Sequence, residues 1–212
     1  MIRPSLILTR PLLRIALLAV GAAATLAPVG VAWAHPHHKP HIHGENAFVH
    51  GLLHPITGLD HVLAMLAIGL WASQIGGRHT WAMPAAFVAL MIVGGLGATL
   101  GLPLVAVEGG ILASVLILGL LVAAACKLPL VGGAAVAGLF AIFHGYAHVS
   151  EMTTGASLAA FGIGFALASA ALCFAGLGVG QLLQTRGQAM LVRACGGGIA
   201  TVGLVLVATA WV

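Results

Sequence analysis

The sequence predicts an all-α, polytopic transmembrane helix bundle with six spans after a cleavable signal peptide. The chain has 212 residues, of which 61% are hydrophobic and only 6% are charged, and its mean hydropathy is +1.14. A soluble domain has about 25% charged residues, so this chain lacks the side chains needed to cover a water-facing surface. After the amino-terminal region, six apolar runs follow, each close to the roughly 20 residues that a helix needs to cross a bilayer.

Residues 1–34 have the organisation of a secretory signal peptide. Three arginines precede a short apolar stretch, and an A-x-A motif, "AWA", follows it at residues 32–34. The alternative is an uncleaved first membrane helix. Cleavage is favoured because the apolar run is short and Pro28 interrupts its end. The mature chain is then expected to begin at His35, outside the cytoplasm.

Residues 35–46 form a polar segment that connects the signal peptide to the membrane domain. Its sequence "HPHHKPHIHGE" contains five histidines. This composition is typical of a disordered segment that collects metal ions, and a polar linker with no metal role is the alternative. The remaining residues, 47–212, are predicted to form a single six-helix transmembrane domain.

The distribution of basic residues predicts the orientation of the spans. The predicted spans cover residues 57–76, 81–100, 105–125, 130–149, 156–178 and 190–211. After Lys39, basic residues occur only between the first and second, the third and fourth, and the fifth and sixth spans, at Arg78, Lys127, Arg186 and Arg193. Because cytoplasmic loops are enriched in Lys and Arg, these loops are expected in the cytoplasm. The sequence thus indicates a multi-pass protein of a bacterial inner membrane whose mature amino terminus is periplasmic.

Composition and motifs argue against several classes of partner and activity. The formal net charge of +4 comes from eight basic and four acidic residues. They form no basic patch, so no nucleic-acid partner is expected. The three cysteines have no CxxC spacing, which argues against a thiolate metal site. A phosphate-binding loop and a G-x-S-x-G motif are both missing from the sequence. We therefore predict no enzyme activity and no organic cofactor, and we leave open whether copies form a homo-oligomer.

Two histidines and a glutamate share one helix face at the outer end of the fourth predicted span. In "FHGYAHVSE" (143–151), His144, His148 and Glu151 stand at positions i, i+4 and i+7. Ionisable groups inside a membrane are costly and are usually functional. Neutral imidazole and carboxylate suit divalent first-row transition metals better than Mg²⁺ or Ca²⁺. The alternative is that each histidine is a buried hydrogen-bonding group that joins helices.

A second group of histidines precedes and begins the first predicted span. In "HGLLHPITGLDH" (50–61), His50 and His54 are four residues apart, and Asp60 and His61 follow a proline and a glycine that mark a helix break. Asp60 is expected either to bind metal directly or to orient an imidazole. A role only as a helix-start residue is the third reading. The predicted metal site contains His54, Asp60, His61, His144, His148 and Glu151, and the roles of His50 and Glu108 stay open.

The two histidine segments resemble the signature segments of the HupE/UreJ family. "HPITGLDHVLAMLAIGLWASQIGGR" (54–78) is similar to the first, with its H-x5-D-H pattern, and "FHGYAHVSE" is similar to the second, with its F-H-G-x-A-H pattern and downstream glutamate. The proteins of this family are membrane proteins associated with hydrogenase and urease and are regarded as nickel or cobalt permeases. The resemblance implies that the metal is Ni(II) or Co(II) as a transported substrate. Val149 stands where that family commonly has glycine.

The leading hypothesis from the sequence is an importer of Ni(II) or Co(II) with its site in the outer half of the bundle. One rival is an intramembrane zinc hydrolase, for which Ser114 and Ser150 are the available serines. A second is a haem-binding electron carrier that uses paired histidines as axial ligands. A third is an accessory protein that delivers metal without moving it across the bilayer.

Overall fold

The structure is a computed structural model that describes residues 46–77, 80–150, 152 and 157–210. All regular secondary structure in these ranges is helical, as the sequence predicts. The helices are α1 (Ala47–Thr57), α2 (Leu59–Ile75), α3 (Ala82–Thr99), α4 (Val107–Ala124), α5 (Leu130–Ser150), α6 (Leu158–Thr185) and α7 (Ala189–Thr209). The predicted signal peptide, the His-rich segment up to residue 45, Arg78 and Glu151 lie outside the described residues.

The described helices form a polytopic transmembrane bundle. Five of them, α3 to α7, are each long and apolar enough to cross a membrane, and α1 and α2 form a bent pair that is long and apolar enough when the two helices are taken together. The predicted spans agree with these helices to within a few residues, with two differences. The segment before the first span is a separate helix, α1, and α6 continues to Thr185 beyond the predicted end at residue 178.

A break at Gly58 separates α1 from α2. The side chain of Asn46 caps α1 by accepting a hydrogen bond from the Phe48 amide at 3.0 Å. Pro55 lies in the last turn of α1, where it removes a backbone donor, and Gly58 follows in an extended conformation. The two helices consequently meet at 77°, and the end of α1 lies beside the start of α2.

Helix α2 lies at the centre of the bundle. It contacts each of the other six described helices, and 11 of its 17 residues are buried. Met65, Ile68 and Trp71 are fully buried and follow His61 along the helix. These large apolar side chains separate the beginning of α2 from its end.

Glycines allow several helix pairs to cross with their backbones in contact. A Cβ atom on Gly145 of α5 would collide with the Met91 carbonyl of α3, and one on Gly69 of α2 would collide with the Cys173 carbonyl of α6. Helices α4 and α7 cross in the same way at Gly119. Small residues permit such close packing in lipid, where no hydrophobic force pushes helices together. The crossing at Gly145 fixes the position of the α5 histidine motif against α3.

The described basic residues lie together where α2 ends. Gln74 of α2 donates a hydrogen bond to the Val122 carbonyl of α4 at 2.9 Å, so the carboxyl ends of these helices are adjacent. Gln74 also lines a cavity with Lys127 and Arg193. We call this region the basic end. The described acidic residues, Asp60 and Glu108, lie in the first turns of α2 and α4, at the opposite end of the bundle.

Candidate metal centre

Three buried histidines from two helices meet opposite the basic end. His61 comes from α2, and His144 and His148 come from α5. One ring nitrogen of each lies within 4.8 Å of the others. Two imidazole nitrogens bound to one tetrahedral zinc ion are about 3.4 Å apart, since each bond is about 2.1 Å long. The three rings would therefore have to approach one another by up to about 1.4 Å to share an ion, and we call them the His triad.

His54 and His61 both lie beside His148. The ring centroids of His54 and His148 are 4.6 Å apart, and those of His61 and His148 are 4.3 Å apart. His54 belongs to α1 and is partly buried, whereas the three triad side chains are buried. The structure thus brings together the predicted histidines from both motifs.

Asp60 contacts the backbone and the ring of His61. Its Oδ1 accepts a hydrogen bond from the His61 amide at 2.9 Å and lies 2.6 Å from Nδ1 of the ring. Because a carboxylate only accepts hydrogen bonds, Nδ1 must carry the hydrogen and Nε2 must carry the lone pair. This geometry matches the imidazole-orienting role that the sequence left open for Asp60.

Gly58 leaves the space that the Asp60–His61 contact occupies. A Cβ atom at this position would lie 2.7 Å from His61 Nδ1 and 3.0 Å from Asp60 Oδ1. The backbone torsion φ of Gly58 is −87°, which other residues adopt readily, so the requirement is for space and not for an unusual backbone conformation. The same glycine therefore both breaks the helix and accommodates the contact.

Ser114 of α4 holds the ring of His144. Its hydroxyl donates a hydrogen bond to the Ile111 carbonyl at 2.6 Å, and its Oγ lies 3.0 Å from His144 Nε2. A hydroxyl has one hydrogen, so Oγ accepts from Nε2–H and the lone pair of His144 is on Nδ1. The sequence singled out Ser114 only as an available nucleophile, and its contact with His144 could not be foreseen.

Unpaired buried polar atoms are concentrated in the His triad. Among the described residues, six buried side-chain polar atoms have no hydrogen-bond partner, and four of them are triad nitrogens: His61 Nε2, His144 Nδ1, His148 Nδ1 and His148 Nε2. Leaving such an atom unpaired costs about 1–3 kcal/mol. Asp60 and Ser114 each occupy one nitrogen of their histidine, and the nitrogen that they leave is the unpaired one.

Aromatic rings from α6 and α3 cover the histidines. The ring of Phe165 is 4.3 Å from that of His148, and Phe161 stacks on Phe165 at 6.0 Å. The ring of Phe87 lies 5.9 Å from that of His144. These apolar side chains exclude water from the triad. The sequence does not single them out, because a phenylalanine in an apolar span carries no signal of its own.

Sequence comparisons identify relatives of the chain. The family model described as HupE / UreJ protein matches residues 16–206. The chain is 40% identical over 173 residues to "Protein HupE" of Rhizobium leguminosarum bv. viciae, an alignment that covers 82% of this chain and 89% of the relative. No solved structure matches this chain. The chain therefore belongs to the HupE/UreJ family.

Proposed function

We propose that the protein is an inner-membrane importer of Ni(II) or Co(II) that binds its cargo at the His triad. The concentration of unpaired imidazole nitrogens is the observation that carries this proposal. Imidazole is a good ligand for Ni, Cu, Zn and Fe, and the resemblance of the histidine segments to those of nickel or cobalt permeases favours nickel or cobalt among them. The expected ligand atoms are His61 Nε2, His144 Nδ1 and one nitrogen of His148.

The remaining predicted site residues have separate proposed roles. His54 is close enough to His148 to supply a fourth ligand after a small movement. Asp60 orients His61 and places a negative charge beside a bound cation. Glu151, for which a ligand role was predicted, lies outside the described residues and remains part of the proposed set. Glu108 is exposed, and we propose no direct contact of it with the cargo.

The structure is closed between the triad and the basic end. Met65, Ile68 and Trp71 are fully buried between them, and the end of α2 lies about 20 Å beyond His61 at 1.5 Å per residue. If the basic end is cytoplasmic, as the positive-inside rule indicates, the triad lies in the periplasmic half. Import then requires a movement of helices that opens a path past these three apolar side chains, such as rocking of one group of helices against another.

Geometry favours metal binding over the rivals that the sequence suggested. A hydrolytic nucleophile needs a base that takes its hydrogen, whereas the hydroxyls of Ser114 and Ser150 donate to backbone carbonyls. Two axial histidines of one haem have ring centroids about 6 Å apart across the iron. The triad rings are closer, at 4.3 Å for His61 and His148 and 4.9 Å for His61 and His144. His54 and His61 are 6.4 Å apart, but the ring of His148 lies within 4.6 Å of both and occupies the space that a haem would need. We accordingly propose no enzymatic activity.

Uptake of radioactive nickel into sealed proteoliposomes tests the proposal and separates transport from metal delivery. We expect the full-length protein to accumulate nickel in the lumen, and we expect His144→Ala to reduce the initial rate at least tenfold. The matched control is Gln184→Ala, which removes a polar side chain near the basic end and should retain uptake. Equal uptake by His144→Ala and the unaltered protein, at equal incorporation, would rule out the triad as the cargo site.

A further inference from the structure

His50 lies one helical turn before His54 on α1. The two ring centroids are 5.7 Å apart, as expected for neighbours at i and i+4 on a helix. His50 is exposed, whereas His54 is partly buried. Two imidazoles in this arrangement can chelate one divalent transition-metal ion. The pair lies outside the His triad, and His50 does not belong to the family patterns that the sequence matches.

Five imidazoles form a continuous series from the surface to the centre of the site. Adjacent ring centroids are 5.7 Å apart for His50 and His54, 4.6 Å for His54 and His148, 4.3 Å for His148 and His61, and 4.9 Å for His61 and His144. His50 is exposed, His54 is partly buried, and the three triad histidines are buried. An ion bound at one ring is therefore always within reach of the next.

Helix α6 supports the outer part of this series. The ring of Phe161 lies 5.8 Å from that of His50 and 5.9 Å from that of His54. A Cβ atom on Gly51 would collide with the Phe161 carbonyl, so the glycine lets α1 pack directly against α6. This packing fixes both histidines on one side of an apolar wall that continues to the triad through Phe165.

We propose that His50 and His54 form an outer, transient site for the divalent cation, which then passes to His148 by ligand exchange. The inference rests on the proposed transport function and adds an entry route to it. A divalent ion loses much hydration energy if it enters an apolar region bare. A series of imidazoles replaces its water molecules one at a time, and His54 is the ring that can contact both the outer partner and the triad.

The test measures initial rates of nickel uptake by proteoliposomes of the full chain, together with equilibrium nickel affinity in detergent. We expect His50→Ala to lower the initial uptake rate about fivefold or more at low nickel concentration. At saturating nickel, the uptake rate of this variant should return to that of the unaltered protein. Equilibrium affinity should stay within about twofold, because the triad is intact. His50→Glu should restore much of the rate, since a carboxylate is also a ligand. Val49→Ala, an exposed neighbour on α1, is the control.

His50→Phe separates metal binding from ring packing against Phe161. It keeps an aromatic ring but has no donor atom, so the proposal requires it to behave like His50→Ala. Normal uptake by His50→Phe at all concentrations would overturn the outer site. Loss of equilibrium affinity in His50→Ala would overturn it too, because His50 would then belong to the main site. If the unaltered protein binds nickel but none enters the vesicles, transport itself fails, and the entry route with it.

Discussion

The two ends of α2 contain buried polar side chains that are used in different ways. At the basic end, Ser73 donates to the Leu70 carbonyl at 2.6 Å and accepts from Gln184 at 2.8 Å, while Gln74 donates to the Val122 carbonyl. At the other end, the His triad has four nitrogens without partners. One atom at the basic end, Gln74 Oε1, is also unpaired.

This difference separates polar groups that hold helices together from polar groups that are left without a partner and that we propose to bind the metal ion. Hydrogen bonds between helices contribute to packing in a membrane, and at the basic end most donors are used in that way. At the triad, Asp60 and Ser114 satisfy only one nitrogen each, and the rest of the site provides apolar surroundings. The triad is therefore expected to reduce the stability of the metal-free protein and to be stabilised by its cargo.

Among the changes that test this difference between the two ends, replacing His148 should have the largest effect on nickel affinity. His148→Leu removes a proposed ligand and two unpaired buried nitrogens. We expect nickel affinity to fall about 100-fold or more, since even residues that only support ligands contribute about 10–100-fold. The metal-free protein should unfold at an unchanged or higher temperature, because the unpaired atoms are gone. Thermal unfolding in detergent, with and without nickel, measures both effects.

The matched control for His148→Leu is Gln74→Leu at the basic end. This change removes a hydrogen bond that is made, so the metal-free protein should become less stable while nickel still stabilises it. If instead His148→Leu destabilises the metal-free protein as much as Gln74→Leu does, the histidine serves the packing of the bundle, and the contrast between the two ends is lost.

A methyl group at Gly58 should have the next largest effect. Its Cβ would lie 2.7 Å from His61 Nδ1, so the Asp60–His61 contact must shift in Gly58→Ala. We expect nickel affinity to decrease about 10–100-fold, the range for loss of a group that orients a ligand. Isothermal titration of nickel into the purified protein gives the value. Gly162→Ala is the control, because a Cβ there meets nothing within 4 Å; equal affinities for both variants would contradict the spatial argument.

Hydropathy was sufficient to predict most of the fold, but not the local geometry of the site. Spans are defined by long apolar runs, so five predicted spans correspond directly to α3 to α7. Helix α1 was missed because its 11 residues are too few to span, and its Pro55 suggested a break instead. The shared face of His144 and His148 follows from helical spacing alone.

The contacts between helices could not be derived from spacing. His61 meets His148 because α2 and α5 pack in one bundle, and no local pattern specifies that arrangement. For the same reason, the contacts of Ser114 with His144 and of Phe165 with His148 were not predicted, since they depend on which helix each residue faces. Asp60 was a partial exception, because it is the neighbour of His61 in sequence and its contact is local.

Ser114→Ala should have the smallest effect on nickel affinity, and it should act on a single ring, that of His144. Without the hydroxyl, Nε2 of His144 has no acceptor, and the ring can place its hydrogen on Nδ1, the nitrogen proposed to bind metal. We expect nickel affinity to fall by about tenfold or less, at the lower limit for supporting groups. Nitrogen NMR of the metal-free protein with labelled histidine should show a change in the tautomer of His144.

Ser73→Ala is the matched control for this substitution. Ser73 and Ser114 are both buried, and each donates to the carbonyl three residues earlier at 2.6 Å. They differ in the second partner, which is Gln184 for Ser73 and His144 for Ser114. A general loss of helix packing would affect both variants alike, so only a tautomer change and weaker nickel binding confined to Ser114→Ala would show that the hydroxyl acts through the ring of His144.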